Sequence, residues 1–310
     1  MNLSSLEIYK VAVLGAGALG ASYASMFFDS GEFSIAFITG GRRYTRLKEE
    51  GVIVNGQHYA IPVIHPEEAG RPADLIIVAL KHQHLSKAIR DLQNLVGEDT
   101  VIISVMNGLD SEEMIGEIFG MDKLLYTIAV GIDALRVGNR INYDNPGKVL
   151  FGEEENIKLS ERVRRVQKAF DRAGIIHETP VDMMRVMWWK FMVNVGMNQA
   201  SAVMRAPYGV FQTSRTAQAL MEALMYEVIE LAEHAGVDLG EKDIKEWYKT
   251  LDTLSLHGKT SMLQDIEANR KTEVEIFGGK VVALGEAYGI ATPVNRTLVQ
   301  IIQVLEEQYQ

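Results

Sequence analysis

The chain has 310 residues, 47% hydrophobic and 23% charged, so it can bury a large core without staples, in the ordinary range for globular proteins. Its 31 basic and 41 acidic residues leave a net charge of −10, which argues against a binder of duplex nucleic acid, although a local basic pocket is allowed. It has no cysteine, which excludes disulfides, thiolate nucleophiles and cysteine-based metal sites. The start Met1-Asn2-Leu3-Ser4-Ser5 has no basic region and no long apolar run, and is not expected to be a secretory signal. No apolar stretch approaches the roughly 20 residues that span a bilayer. The expectation is a soluble, cytoplasmic protein with no membrane and no nucleic-acid partner.

Five short runs, at 10–14, 34–38, 75–80, 101–105 and 126–130, are apolar on consecutive positions and fit strands covered on both faces. Helix-like segments lie between them, at 20–28, 43–50, 85–95 and 111–119. Strands alternating with helices imply right-handed crossovers and a parallel sheet. Near residue 180 the character changes. Thr179-Pro180-Val181-Asp182 reads as a helix start, with Thr179 as N-cap and Pro180 in the first turn. Long helices are expected at 181–204, 214–236, 241–254, 260–287 and 294–308. Gly236 and Gly289 fit helix C-termini, and Pro293 fits the start of the last helix. The expected organisation is an α/β domain of dinucleotide-binding type at 1–180, then an all-helical domain at 181–310.

Gly15-Ala16-Gly17-Ala18-Leu19-Gly20 is G-x-G-x-x-G, set after an apolar strand and at a helix start, where a dinucleotide-binding turn requires it. Gly15 permits the tight turn, Gly17 lets a pyrophosphate approach the backbone, and Gly20 lets helix and strand pack. The helix N-terminus then offers N–H groups and a positive dipole end to the phosphates. Sites for NAD usually carry an acid at the end of the second strand. Here Ile38 runs into Thr39-Gly40-Gly41-Arg42-Arg43, with no acid. Two guanidiniums suit a 2′-phosphate, which favours NADP (NADPH); alternatively, Arg42 and Arg43 simply begin a solvated helix. Lys81 and Asn107-Gly108 follow the third and fourth apolar runs, at the strand ends where open α/β sheets bind ligands. Their plain alternatives are a loop lysine and a turn pair. His82 and His84 do not converge and have no acid to complete a set, so no metal is expected.

The second domain opens with a helix in which nine of thirteen residues, 186–198, are large and apolar. Lys190, Asn194 and Asn198 interrupt it at steps of four. Each step drifts about 40°, so the three share one face. A lysine among tryptophans and a phenylalanine is either snorkelling or useful, since desolvation lowers its pKa toward neutrality. The asparagines can orient an oxygen-rich small molecule. Asp265, Arg270 and Glu273, taken alone, read as a solvated helix face.

The ordered set of landmarks resembles the ketopantoate reductase family over nearly the whole chain. It comprises the G-A-G-A-L-G turn, Lys81, Asn107-Gly108, W-W-K-F-M-V-N-V-G-M-N, S-M-L-Q-D-I, and T-E-V-E followed by a Gly-Gly pair. The resemblance implies a Rossmann-type domain, a helical domain, and an active site in the cleft. It implies reduction of ketopantoate to pantoate with NADPH, on the route to pantothenate and coenzyme A. It makes Lys190 the general acid and Glu273 its catalytic carboxylate partner. It assigns substrate contacts to Asn107, Asn194, Asn198 and Ser261, and places Lys81 by cofactor and substrate. Two positions depart from the family pattern. The usual arginine after the second strand falls on Thr39 or Gly40, so its work passes to Arg42 or Arg43. Tyr208 stands where a substrate-binding asparagine is usual. Two alternatives accompany this reading. One is a D-2-hydroxyacid dehydrogenase acting on another branched 2-keto acid, some of whose kind use NAD. The other is a dinucleotide-binding regulator without turnover, against which Lys190, Asn194 and Asn198 speak, because a sensor needs no proton donor. Exposed apolar face on the long helices would allow a homodimer.

Overall fold

The computed structural model describes residues 7–309; the segment Met1 to Ser5, weighed above as a signal, lies outside them. The chain divides into two compact units, Met1–Met183 and Met184–Gln310. The first carries, in order, β1 (Lys10–Leu14), α1 (Ala18–Asp29), β2 (Ser34–Ile38), α2 (Gly41–Glu50), β3 (Val52–Val54), β4 (Gln57–Tyr59), β5 (Val63–Ile64), β6 (Leu75–Val78), α3 (His82–Ala88), β7 (Val101–Ser104), α4 (Ser111–Phe119), β8 (Leu124–Ile132), β9 (Leu135–Val137), β10 (Arg140–Asn142), β11 (Pro146–Gly152), α5 (Glu161–Arg172) and β12 (His177–Glu178).

Eight of these strands form one sheet in the order β12-β11-β8-β7-β6-β1-β2-β5. From β5 to β8 every pairing is parallel; β11 runs antiparallel to β8. The central strands feed two apolar layers. Val11, Val13, Ile77 and Ile103 enter one, and Ala12, Leu14, Ile76 and Ile102 enter the other. That is why these runs are apolar without alternation. A second sheet, β4-β3-β10-β9, went unforeseen because its strands have three residues each. Its β3–β4 hairpin turns at Asn55-Gly56, both with positive φ, the usual chemistry of a two-residue hairpin.

The second unit is helical. It comprises α6 (Met183–Met204), whose first residue closes the first unit, then α7 (Tyr208–Thr213), α8 (Arg215–His234), α9 (Glu241–Leu251), α10 (Ser261–Glu267), α11 (Gly278–Tyr288) and α12 (Pro293–Glu307). α11 packs on α8 and α12. A buried polar cluster fixes the far side of α6. Gln199 donates to Asn295 (2.8 Å), whose amide donates to Glu227 (2.7 Å), and Glu227 also accepts the Val294 and Asn295 N–H groups that open α12. The carboxylate thus takes two otherwise orphaned N–H groups at a helix N-terminus.

Three expectations are corrected. Thr179 does not cap α6, which begins at Met183; Thr179 instead accepts from Gln167, and the Pro180 carbonyl accepts from Asn156. The segment 260–287 is not one helix. α10 stops at Glu267, Asn269 is left-handed (φ 48°), and a 3₁₀ turn at Val274–Ile276 precedes α11. Consequently Asp265, Arg270 and Glu273 share no helix face: Asp265 is buried and ion-paired to Arg270 (2.7 Å), while Glu273 heads the 3₁₀ turn. No described helix is long and apolar enough to cross a membrane.

Candidate active site

The glycine turn joins β1 to α1. Gly15 has φ +110°, and a Cβ there would run into the carbonyl of Ala79, just beyond β6. A Cβ on Gly20 would overlap the Gly15 carbonyl. Gly17 differs: the nearest atom to an added Cβ is the Ala79 oxygen, 3.7 Å away, so the space beside it is open. No side chain caps α1 or α2, and neither has an acid in its first turn. An open cradle at an uncapped helix N-terminus fits a dinucleotide pyrophosphate.

The loop between β2 and α2 is shorter than the sequence implies. α2 starts at Gly41, which places Arg42 and Arg43 in its first turn, both exposed. Cations there oppose the helix dipole, an arrangement that an anion would relieve. Arg43 Nη2 lies 3.4 Å from His84 Nε2. Burial, then the charges of Arg43, Lys81 and Lys87, hold His84 below the usual histidine value. Lys81 is the N-cap of α3, and Asn107 lies in the turn after β7, on the strand next to β6. Beneath that turn sits a buried chain unforeseen from the sequence. Ser104 and Ser111 share a hydrogen bond (2.8 Å), and Ser111 donates to Glu112 (2.8 Å). It anchors the end of β7 to the start of α4, and so frames the Asn107 turn.

His84 gives a test of pH dependence. Its folded pKa is lowered, so the unfolded chain takes the proton first. Its effect on stability is therefore nil well above about pH 6.5 and becomes destabilising as the pH falls through that value. His84→Gln is expected to lose less Tm than the native chain between about pH 7.5 and 5.5. Parallel loss of Tm in both proteins would contradict this electrostatic picture.

In the helical unit, α6 carries Lys190, Asn194 and Asn198 on successive turns. Lys190 and Asn194 are half-buried, and Asn198 is buried. Asn198 donates to Asn194 Oδ1 (3.3 Å) and accepts from Ser261 Oγ (3.2 Å) and the Met262 N–H (3.4 Å). Asn194, Asn198 and Ser261 are thus one hydrogen-bonded row. A separate buried chain, from the neighbouring Thr260, was not foreseen: Thr260 donates to Ser201 (3.2 Å), and Ser201 donates to the Ala206 carbonyl (2.7 Å). This braces the loop leading to Tyr208, whose N–H binds the Gly258 carbonyl (2.9 Å). Burial raises the Tyr208 pKa, so its phenol stays protonated at neutral pH. Among the described residues no cluster of three or more His, Cys, Asp or Glu could hold a metal ion.

A parallel sheet with a G-x-G-x-x-G turn, followed by a helical unit with a lysine–asparagine row, defines a dinucleotide-dependent oxidoreductase. Residues 11–156 match the family described as ketopantoate reductase PanE/ApbA, and residues 182–306 match its C-terminal part. The chain belongs to the ketopantoate reductase family. It is 24% identical over 300 residues to the 2-dehydropantoate 2-reductase of Streptococcus pyogenes serotype M3, covering 96% of this chain and 97% of that one. Among solved structures it is similar to D-mandelate dehydrogenase in a ternary complex with NADH and anilino(oxo)acetate, with a TM-score of 0.87, 23% identity, and 97% and 99% of the two chains covered. It is also similar to a dimeric ketopantoate reductase from Staphylococcus aureus, with a TM-score of 0.81, 19% identity, and 97% and 100% covered.

Proposed function

We propose that this oxidoreductase reduces ketopantoate (2-dehydropantoate) to (R)-pantoate with NADPH, a step toward pantothenate and coenzyme A. The observation that carries the reading is the Asn194–Asn198–Ser261 row, one turn along α6 from Lys190. A row of neutral donors and acceptors suits a substrate bearing a carboxylate, a ketone and a hydroxyl. Gly15, Ala16, Gly17, Ala18, Leu19 and Gly20 would hold the pyrophosphate at the α1 N-terminus, with Lys81 and Asn107 on the same sheet edge. Arg42 or Arg43 would meet the 2′-phosphate, and the Arg43–His84 contact favours Arg43.

When bound, NADPH would supply the hydride that the ketone carbon accepts. The carbonyl π pair moves to oxygen, and the Lys190 ammonium stabilises that charge and donates the proton. Glu273 would keep Lys190 charged, since an opposite charge offsets desolvation. Asn194, Asn198 and Ser261 would hold the substrate oxygens. Removing the substrate hydroxyl leaves one of these groups unpaired. Ketopantoate is therefore expected to exceed 2-ketoisovalerate in kcat/KM by about 10- to 100-fold. Comparable values would count against ketopantoate as the substrate.

Tyr208 favours a second reading, a D-2-hydroxyacid dehydrogenase for another branched 2-keto acid. Its ring packs against Gly258, three residues before Ser261, where it presents a bulky surface in place of an amide. A homodimer is part of either reading: α12 leaves Ile301 and Val304 exposed, and sedimentation of the purified chain tests it.

A further inference from the structure

β9 is built against the usual pattern. On an edge strand with one solvated face, apolar residues face the protein and charged ones face water. Here Leu135 and Val137 are exposed, by 47% and 68%, and Arg136 between them faces inward. The inward guanidinium is held at two points. Nη1 donates to the Ala16 carbonyl of the glycine turn, and Nε donates to the Gly138 carbonyl (2.7 Å). Two of its three nitrogens are committed, and both bonds are to backbone.

Its electrostatic surroundings are cationic. Burial, then the charges of Arg46 and Arg43, lower its pKa, and no acid is among the groups acting on it. Arg43 and Arg46 are three apart on α2, so they lie on one face of that helix. In a chain of net charge −10, Arg136 thus sits on the glycine turn, and the charges of Arg43 and Arg46, on the helix that follows β2, reach it. Like charges in a half-buried setting repel, and an anion of charge near −2 turns that repulsion into attraction. In this fold, the ribose of a bound dinucleotide lies by the end of the second strand.

We propose that Arg136 is a specificity residue for the 2′-phosphate of the cofactor, completing a three-arginine receptor with Arg43 and Arg46. The small sheet is then the device that delivers this third arginine, and the Ala16 carbonyl fixes its placement. The assignment rests on the NADPH reading above and names a residue that reading lacked.

The test is equilibrium titration of NADPH, NADH and adenosine 2′,5′-bisphosphate against the native chain, Arg136→Ala and Arg136→Lys. Arg136→Ala is expected to raise Kd for NADPH and for the bisphosphate by about 10- to 100-fold, and for NADH by less than about threefold. Arg136→Lys is expected to recover part of the loss, because it keeps the charge without the fork. If Arg136→Ala fails to fold, Arg136→Gln carries the same comparison, since its amide can still donate to Ala16. Equal weakening of both dinucleotides, or no weakening, overturns the proposal. Equal native affinity for NADPH and NADH instead overturns the NADPH reading, and is seen before any variant is made.

Discussion

Lys190→Ala is expected to lower kcat by about 10²–10⁴-fold, the usual worth of general acid catalysis. Dinucleotide affinity is expected to stay unchanged, because the glycine turn belongs to the other unit. Hydride addition builds charge on the ketone oxygen, and without an ammionium neither the charge nor the proton is supplied. Lys190→Arg is not expected to restore turnover, since guanidinium holds its proton too tightly. Single-turnover kinetics with NADPH in excess separates the chemical step from binding. A near-normal kcat in Lys190→Ala would make the lysine a packing residue and end the mechanism proposed here.

Gly17→Ala is expected to weaken NADPH binding by about 10- to 100-fold while leaving Tm almost unchanged. The backbone at Gly17 is extended, and its added Cβ meets nothing nearer than 3.7 Å in the chain itself. Only a bound pyrophosphate would collide with it. Gly20→Ala should act the other way round. Its Cβ overlaps the Gly15 carbonyl and lies 3.0 Å from the Ala79 Cβ, so the fold itself must shift. A cost of about 1–3 kcal/mol is expected, read as a lower denaturation midpoint. If Gly17→Ala binds NADPH normally, the open space beside Gly17 is not a pyrophosphate cradle.

The parts of the fold that rest on local pattern were legible. β1 and β2 follow their apolar runs residue for residue, and α12 begins at Pro293, as its sequence indicates. What escaped depends on distant partners. Nothing near residue 270 announces that Thr272 will bind Glu306, or that Arg270 will turn back on Asp265, and those contacts accompany the break in the expected long helix. The small sheet escaped because three-residue strands carry too few positions to show a period. Arg136 escaped with it, since an inward arginine between outward apolar residues reads as an ordinary surface strand. In the site, the spacing of Lys190, Asn194 and Asn198 was visible on one helix. Ser261 joins Asn198 across 63 residues of sequence, and only family resemblance indicated it.

The most direct test is initial-rate oxidation of NADPH and NADH by the purified chain against a panel of 2-keto acids, with ketopantoate, 2-ketoisovalerate and phenylglyoxylate among them. The account predicts the highest kcat/KM for ketopantoate with NADPH, and a clear preference for NADPH over NADH. Faster turnover of another 2-keto acid, or equal use of both cofactors, would contradict it.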